Sequence, residues 1–334
     1  MKMVLQKFNK TGPDIFILII IIASAIWLIS FLNPAPVAVP DESVINMPLY
    51  AVLENLTGNN ARTGIIISFL TVLLISYLMV DFNTSDMFIG QRTFMPALFY
   101  ILITSLLPDL RILNPVLVSA PFLVLALKHI MNAYKTQGTA YTFFDAALFI
   151  GTGSLFYAGL LWYGILLFAG MAKLHKGNFK EIIISLAGLA APWFITLSIL
   201  YLSDSNLDAL SGGIVYSLFR DTAIYEFKLY ETLASGAVLL ILFISIAYLV
   251  RHMNTQKIRA RNTFVLLFWI FFLSIALCLI CRSVSAGLIW IAAIPSGYFL
   301  SYFFAHAGKS VLPKMIFMFL LILTVVVQLA GIFA

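Results

Sequence analysis

Residues 16–32 read FILIIIIASAIWLISFL, seventeen consecutive positions without a charge. Strands of a membrane barrel alternate apolar and polar residues, and this run does not alternate. About 20 apolar residues in a helix cross the hydrocarbon of a bilayer, and this run approaches that length. Ten further apolar runs, bounded by charge or proline, lie near 64–80, 93–107, 112–128, 142–155, 157–172, 181–202, 232–250, 263–281, 284–305 and 315–333. Only helices and closed barrels satisfy their backbone groups in hydrocarbon. The expected fold class is therefore all-α, a polytopic transmembrane helical bundle of about eleven helices.

Composition agrees. Of 334 residues, 62% are hydrophobic and 10% charged, and mean hydropathy is +1.03. A soluble domain carries roughly 25% charged residues. A water-facing surface cannot be built from so few, so residues 1–334 are expected to form a single integral membrane domain. The first run exceeds the roughly 7–15 apolar residues of a signal peptide. Asn33-Pro34-Ala35-Pro36 follows it, with no small-x-small cleavage pattern. It is expected to stay as an anchor.

The stretch 142–172 is long for one helix and short for two. Gly151, Gly153 and Phe156-Tyr157 offer a turn within it. Charge favours the hairpin. With eleven crossings and a cytoplasmic N-terminus, 15 of the 20 basic residues fall on the cytoplasmic side. The outer side holds Arg62, Arg111, Arg220, Lys228 and Arg282. A single helix would send the basic clusters at 173–180, 251–261 and 309–314 outside, against the positive-inside asymmetry. The C-terminus is then expected outside, in the bacterial inner membrane. Nine of 14 acidic residues fall on the outer side, chiefly in two long loops, 33–63 and 203–231. The first is proline-rich and then amphipathic over 47–56, which predicts a helix lying along the membrane surface. The second breaks at Gly212-Gly213 and is amphipathic over 214–230.

Several chemistries find no support. The net charge of +6 follows from topology, and the basic loop RHMNTQKIRARN lacks the interleaved aromatics of a nucleic-acid site. No P-loop, GxSxG, HExxH or GxGxxG occurs, nor any haem, flavin or nucleotide motif. Cys278 and Cys281 lie in an apolar run and read as packing. His129, His175, His252 and His306 share the cytoplasmic side, where Lys128, Lys173, Lys176 and Arg251 beside them oppose a cation site. Asp145 stands about a turn into its helix and reads as an interfacial first-turn acid.

The outer acids are the candidate catalytic groups. Asp41 and Glu42 sit in the proline-restrained first loop, and Asp109 returns to the same face in LLPDLR. Carboxylates there can serve as a general base or hold a divalent metal. On residues alone, the reading as solvated loop residues is the stronger one. Arg220, Arg282 and Lys228 are basic on the side where basic residues are the minority. An arginine fork suits a phosphate, whether of a polyprenyl carrier or a lipid headgroup. Headgroup snorkelling is the alternative.

This order of features, a cytoplasmic start, one helix, an acidic outer loop with a surface helix, then paired helices with an acid in the next outer turn, resembles the GT-C superfamily of polytopic glycosyltransferases. The stretch FDAALFIGTGSLFYAGLLWYGILLFAGMAKLHKGNFKEIIISLAGLAAPWFI resembles its two short helices, basic turn and Gly- and Pro-bearing helix. The chain as a whole resembles a bacterial family of polytopic membrane proteins of about this length, some of whose members carry the label beta-carotene monooxygenase. The GT-C likeness covers the topology of about residues 1–200. It implies a polyprenyl-phosphate sugar donor, a catalytic carboxylate at Asp41 or Glu42 and a second acid at Asp109. Arg220, Arg282 or Lys228 would then bind the phosphate. The chain lacks the large C-terminal soluble domain of many GT-C enzymes. Two other readings stand beside this one: a non-catalytic membrane subunit of a cell-envelope, export or motility assembly, and a transporter. A transporter calls for inverted repeats or paired charges at mid-membrane, and the sequence has no such repeat.

Overall fold

The computed structural model describes residues 12–32, 47–58, 60–134, 140–174, 178–203, 228–280, 286–307 and 311–333. Those residues form twelve α-helices joined by short 3-10 turns, with no strand among them. In chain order they are α1 (Pro13–Leu32), α2 (Pro48–Thr57), α3 (Ala61–Asp86), α4 (Met95–Thr104), α5 (Pro115–Asn132), α6 (Ala140–Ser154), α7 (Ile165–Leu174), α8 (Phe179–Leu202), α9 (Leu229–His252), α10 (Ile258–Ile280), α11 (Ile289–His306) and α12 (Val311–Phe333). Seven are long and apolar enough to cross a membrane, so the chain is a membrane-embedded helical bundle.

Each of the eleven apolar runs read from the sequence corresponds to a helical segment. Local chemistry sets several of their ends. The Asn60 and Asn114 side chains accept the Arg62 and Val116 backbone N–H groups at the starts of α3 and α5. Proline stands in the first turn of α2, α4 and α5, where its missing N–H costs nothing. Gly58 ends α2 in the left-handed region, φ 59°.

Side-chain contacts sort the helix ends into two groups. At one end Arg111 meets Ile26 and Ser30 of α1, Lys228 meets Asp109, and Gln328 of α12 meets Ser105. At the other, Asp81 pairs with Lys128, Asp86 with Arg259, and His129 with Asp145. Successive segments run alternately between this Arg111 end and this Arg259 end.

The hairpin in 142–172 is present. α6 ends at Ser154, the chain turns, and a 3-10 helix over Ala158–Gly164 leads into α7. The packing of α6 on α8 shows why it must reverse. A Cβ on Gly188 would lie 2.6 Å from the Phe144 carbonyl oxygen, and one on Gly151 2.6 Å from that of Leu189. Residue numbers rise together across the contact, so α6 and α8 are parallel. Consecutive helices can be parallel only if an intervening segment returns, and α7 does so. The two glycines let the backbones approach, the small-residue packing that membrane helices favour. Trp193 Nε1 of α8 donates to Ser154 Oγ at 2.7 Å and anchors the Arg111 end of this crossing.

The short helix expected at 47–56 is α2. It docks on the turn after α6 through Met47 and Tyr50, which pack against Ala158. Leu49 N donates to the Leu155 carbonyl at 3.2 Å, and Tyr50 Oη to that of Leu113, also at 3.2 Å.

Gly188→Ala is expected to force α6 and α8 apart and destabilise the fold by about 1–3 kcal/mol, the usual cost of overpacking. Gly236→Ala in α9 meets nothing within 4 Å and serves as the control. Melting temperatures in detergent should fall for the first and hold or rise for the second. Equal melting temperatures would remove the close-crossing argument.

Candidate functional site

The helices α9 and α10 follow one another but separate as they leave the Arg259 end. There they are held: Tyr248 Oη donates to the His306 carbonyl at 2.9 Å, Gln256 Nε2 to Tyr302 Oη at 2.7 Å, and Arg259 Nη2 to Asp86 at 2.6 Å. Toward the Arg111 end a cleft of about 300 Å³ opens between them. Val238, Leu239 and Leu242 of α9 form one wall, and Phe271, Ile275 and Cys278 of α10 the other. Ile103 and Leu106 with Ala292 and Ser296 of α11 make the floor. Leu239 and Ile275 are 59% and 42% exposed, so the cleft opens sideways, toward lipid.

Three serines line it, and their hydroxyls are spent. Ser235 donates to the Thr232 carbonyl at 3.0 Å, Ser274 to that of Ile270 at 2.8 Å and Ser296 to that of Ala292 at 2.7 Å. A hydroxyl bonded to its own helix offers little to a polar ligand. The wall therefore suits hydrocarbon.

Charge gathers at the Arg111 end of the bundle. Arg111 is 1% exposed, on the turn between α4 and α5. Its Nη1 donates to the Ile26 carbonyl at 2.9 Å and to Ser30 Oγ at 3.1 Å, and its Nη2 to the Ser105 carbonyl at 3.1 Å. The guanidinium lies 5.5 Å from the Trp27 ring centre. Burial pulls its pKa down to about 9, with Asp109 opposing, so the group stays charged at neutral pH. Gln328 Nε2 donates to the same Ser105 carbonyl at 2.8 Å. Among the described residues, Arg111 Nε and Gln328 Oε1 are buried without hydrogen-bond partners.

Of the six candidate residues from the sequence, two are described, and they touch. Lys228 Nζ lies 3.3 Å from Asp109 Oδ2. Asp109 and Lys228, read separately as a second acid and a phosphate ligand, are one ion pair. Asp41, Glu42, Arg220 and Arg282 lie outside the described residues, as do residues 214–227 of the second amphipathic stretch, His175 and Cys281. Asp145 is half-exposed and 3.8 Å from His129, in keeping with an interfacial place. No group of three or more His, Cys, Asp or Glu side chains able to hold a metal occurs among the described residues. Sequence reading passed over the role of Arg111. Its signal was an arginine between two apolar runs, only two residues from an acid.

Comparison with protein-family models, with curated proteins and with solved structures finds no match.

The Asp109 carboxylate holds the Lys228 ammonium above its ordinary pKa. Its stabilisation is whole below the ordinary lysine value of about 10.4 and is lost as pH rises through the raised value. The pair is largely exposed, so the effect is small. The melting-temperature gap between the unmodified chain and Asp109→Asn should be constant from neutral pH to about 10 and close above it. A gap that persists to pH ~12 would show that the pair contributes no such linkage.

Proposed function

We propose that the chain is a membrane glycosyltransferase of the GT-C kind that takes a polyprenyl-phosphate sugar at the outer face of the bacterial inner membrane. The observation that carries this reading is the cleft between α9 and α10. It is apolar and open at the side, and the end of the bundle toward which it opens carries an ion pair and a buried arginine. An amphiphile with a long chain and an anionic head matches that pattern.

The proposed orientation places the Arg259 end in the cytoplasm. Among the described residues that end carries Arg92, Lys128, Lys173, Lys180, Arg251, Lys257, Arg259, Arg261 and Lys314, against Arg62, Arg111 and Lys228 at the other. This distribution supports the positive-inside assignment, with the N-terminus inside and the C-terminus outside. The cleft then lies in the outer-leaflet half.

In the proposed reaction the polyprenyl chain lies in the cleft, and Lys228, Arg220 or Arg282 binds the phosphate. Asp41 or Glu42 takes the proton of an acceptor hydroxyl. The hydroxyl oxygen attacks the anomeric carbon with inversion, the bond from that carbon to the phosphate oxygen breaks, and polyprenyl phosphate leaves. A divalent metal can assist through the same carboxylates.

A second reading, a non-catalytic membrane subunit that recognises a lipid or a protein partner, is favoured by one observation. Asp109, the one candidate acid among the described residues, is engaged by Lys228.

Transfer from a polyprenyl-phosphate sugar is to be measured in proteoliposomes. Loss of a general base typically costs about 10²–10⁴-fold, expected here for Asp41→Asn or Glu42→Gln. Ala292→Phe should raise KM for long-chain donors and spare short-chain ones. Full activity in both carboxylate variants would remove the catalytic assignment. No transfer by the unmodified chain would favour the subunit reading.

A further inference from the structure

Lys228 and Asp109 lie at the Arg111 end of the bundle, and each is close along the chain to residues that line the cleft. Lys228 immediately precedes α9, and Ser235, about two turns along, lines the cleft. Asp109 follows by two positions Leu107, another lining residue. The two side chains are 40% and 47% exposed, so an approaching anion can reach the pair. The Lys228 ammonium also lies 5.9 Å from the Tyr230 ring centre, on the same rim.

The geometry points to an exchange of partners: the phosphate headgroup of a lipid seated in the cleft takes Lys228 from Asp109, leaving Asp109 an unpaired carboxylate at the rim. The inference rests on the cleft being a lipid site, as read above, and adds how that site is gated.

Three features favour it. An exposed Lys–Asp pair is worth little, so breaking it costs little. A phosphate monoester such as farnesyl phosphate offers an ammonium three oxygens and up to two charges where the carboxylate offers two oxygens and one, and the diester of a sugar donor matches the carboxylate in both, so either can compete. The freed Asp109 keeps a cation nearby, because Arg111 is two residues away and already feels the Asp109 charge, which opposes the lowering of its pKa by burial. Arg111 itself cannot swing out to the phosphate. It is 1% exposed, and three hydrogen bonds hold it to Ile26, Ser30 and Ser105. Lys228 can swing. Its backbone N–H is held by Glu231 Oε2 at 3.1 Å, so the start of α9 stays fixed while the side chain changes partner.

The exchange breaks one ion pair and forms another, and no proton moves. Its consequence is order. A carboxylate able to accept a hydroxyl proton or a hydrogen bond appears at the rim only after the phosphate lipid is bound. Donor binding thereby prepares the place where an acceptor would arrive.

The test uses the full chain in dodecyl maltoside micelles, which carry no phosphate, titrated with farnesyl phosphate, farnesol and inorganic phosphate. The unmodified chain should bind farnesyl phosphate about tenfold more tightly than farnesol, the scale of one charge-assisted contact. Lys228→Gln should bring farnesyl phosphate down to the farnesol level. Asp109→Asn should tighten farnesyl phosphate, because it removes the competitor. A merely structural ion pair would move both variants in the same direction, and that result, or no shift in either, overturns the exchange while farnesol binding persists. Inorganic phosphate binding as tightly as farnesyl phosphate would also overturn it. Failure of farnesol and farnesyl phosphate alike to bind the unmodified chain would overturn the cleft reading itself, and the exchange with it. Melting temperatures of the variants confirm that each is folded.

Discussion

Hydrocarbon offers no partner to a backbone N–H or C=O, and the architecture follows from that constraint. Every apolar run closes its hydrogen bonds within itself by becoming a helix, and polar side chains in the interior do the same on a smaller scale. Ser245, Ser274, Ser296, Ser301 and Thr324 each donate to a carbonyl four residues back. Hydroxyls satisfied in this way add little directional force between helices, which a few tyrosines supply instead, Tyr100 donating to the Trp290 carbonyl and Tyr298 to that of Met79. Close packing supplies the rest, and it does so where small residues allow. Gly151 and Gly188 bring α6 and α8 together, and a Cβ on Gly297 of α11 would stand 3.1 Å from the Pro96 carbonyl of α4.

The charges then have only the two ends to occupy, and the ends differ. The Arg259 end neutralises several of its charges in direct pairs, Asp81 with Lys128 and Asp86 with Arg259. Those pairs join helices distant in the chain and hold α10 against α3. The Arg111 end buries a guanidinium against neutral oxygens and leaves its nearest acid to another partner. At the Arg259 end, bonds to α11 and α3 hold α9 and α10; the cleft between them lies toward the Arg111 end.

Much of the fold could be read from the chain alone. Apolar run length placed the helical segments, and the distribution of lysine and arginine chose the hairpin in 142–172 over a single helix. Both are one-dimensional properties, set by residue type and spacing, so they do not depend on what packs against what. The amphipathic spacing of 47–56 likewise marked α2. The site was less legible. Asp109 and Lys228 each stood out as charges on the side expected to be outer, but nothing along the chain said that they would meet.

What the sequence by itself determined is the number, position and alternation of the helical segments, because hydrocarbon leaves an apolar run no other conformation and positive charge resists crossing. What only the tertiary structure decided is which ends touch: the Lys228–Asp109 pair, the burial of Arg111 against Ser105 and Ser30, and the cleft between α9 and α10. Those contacts join residues far apart in the chain. They depend on how closely glycine-bearing helices approach and on which helices are pinned together, and neither is encoded in any local run of residues.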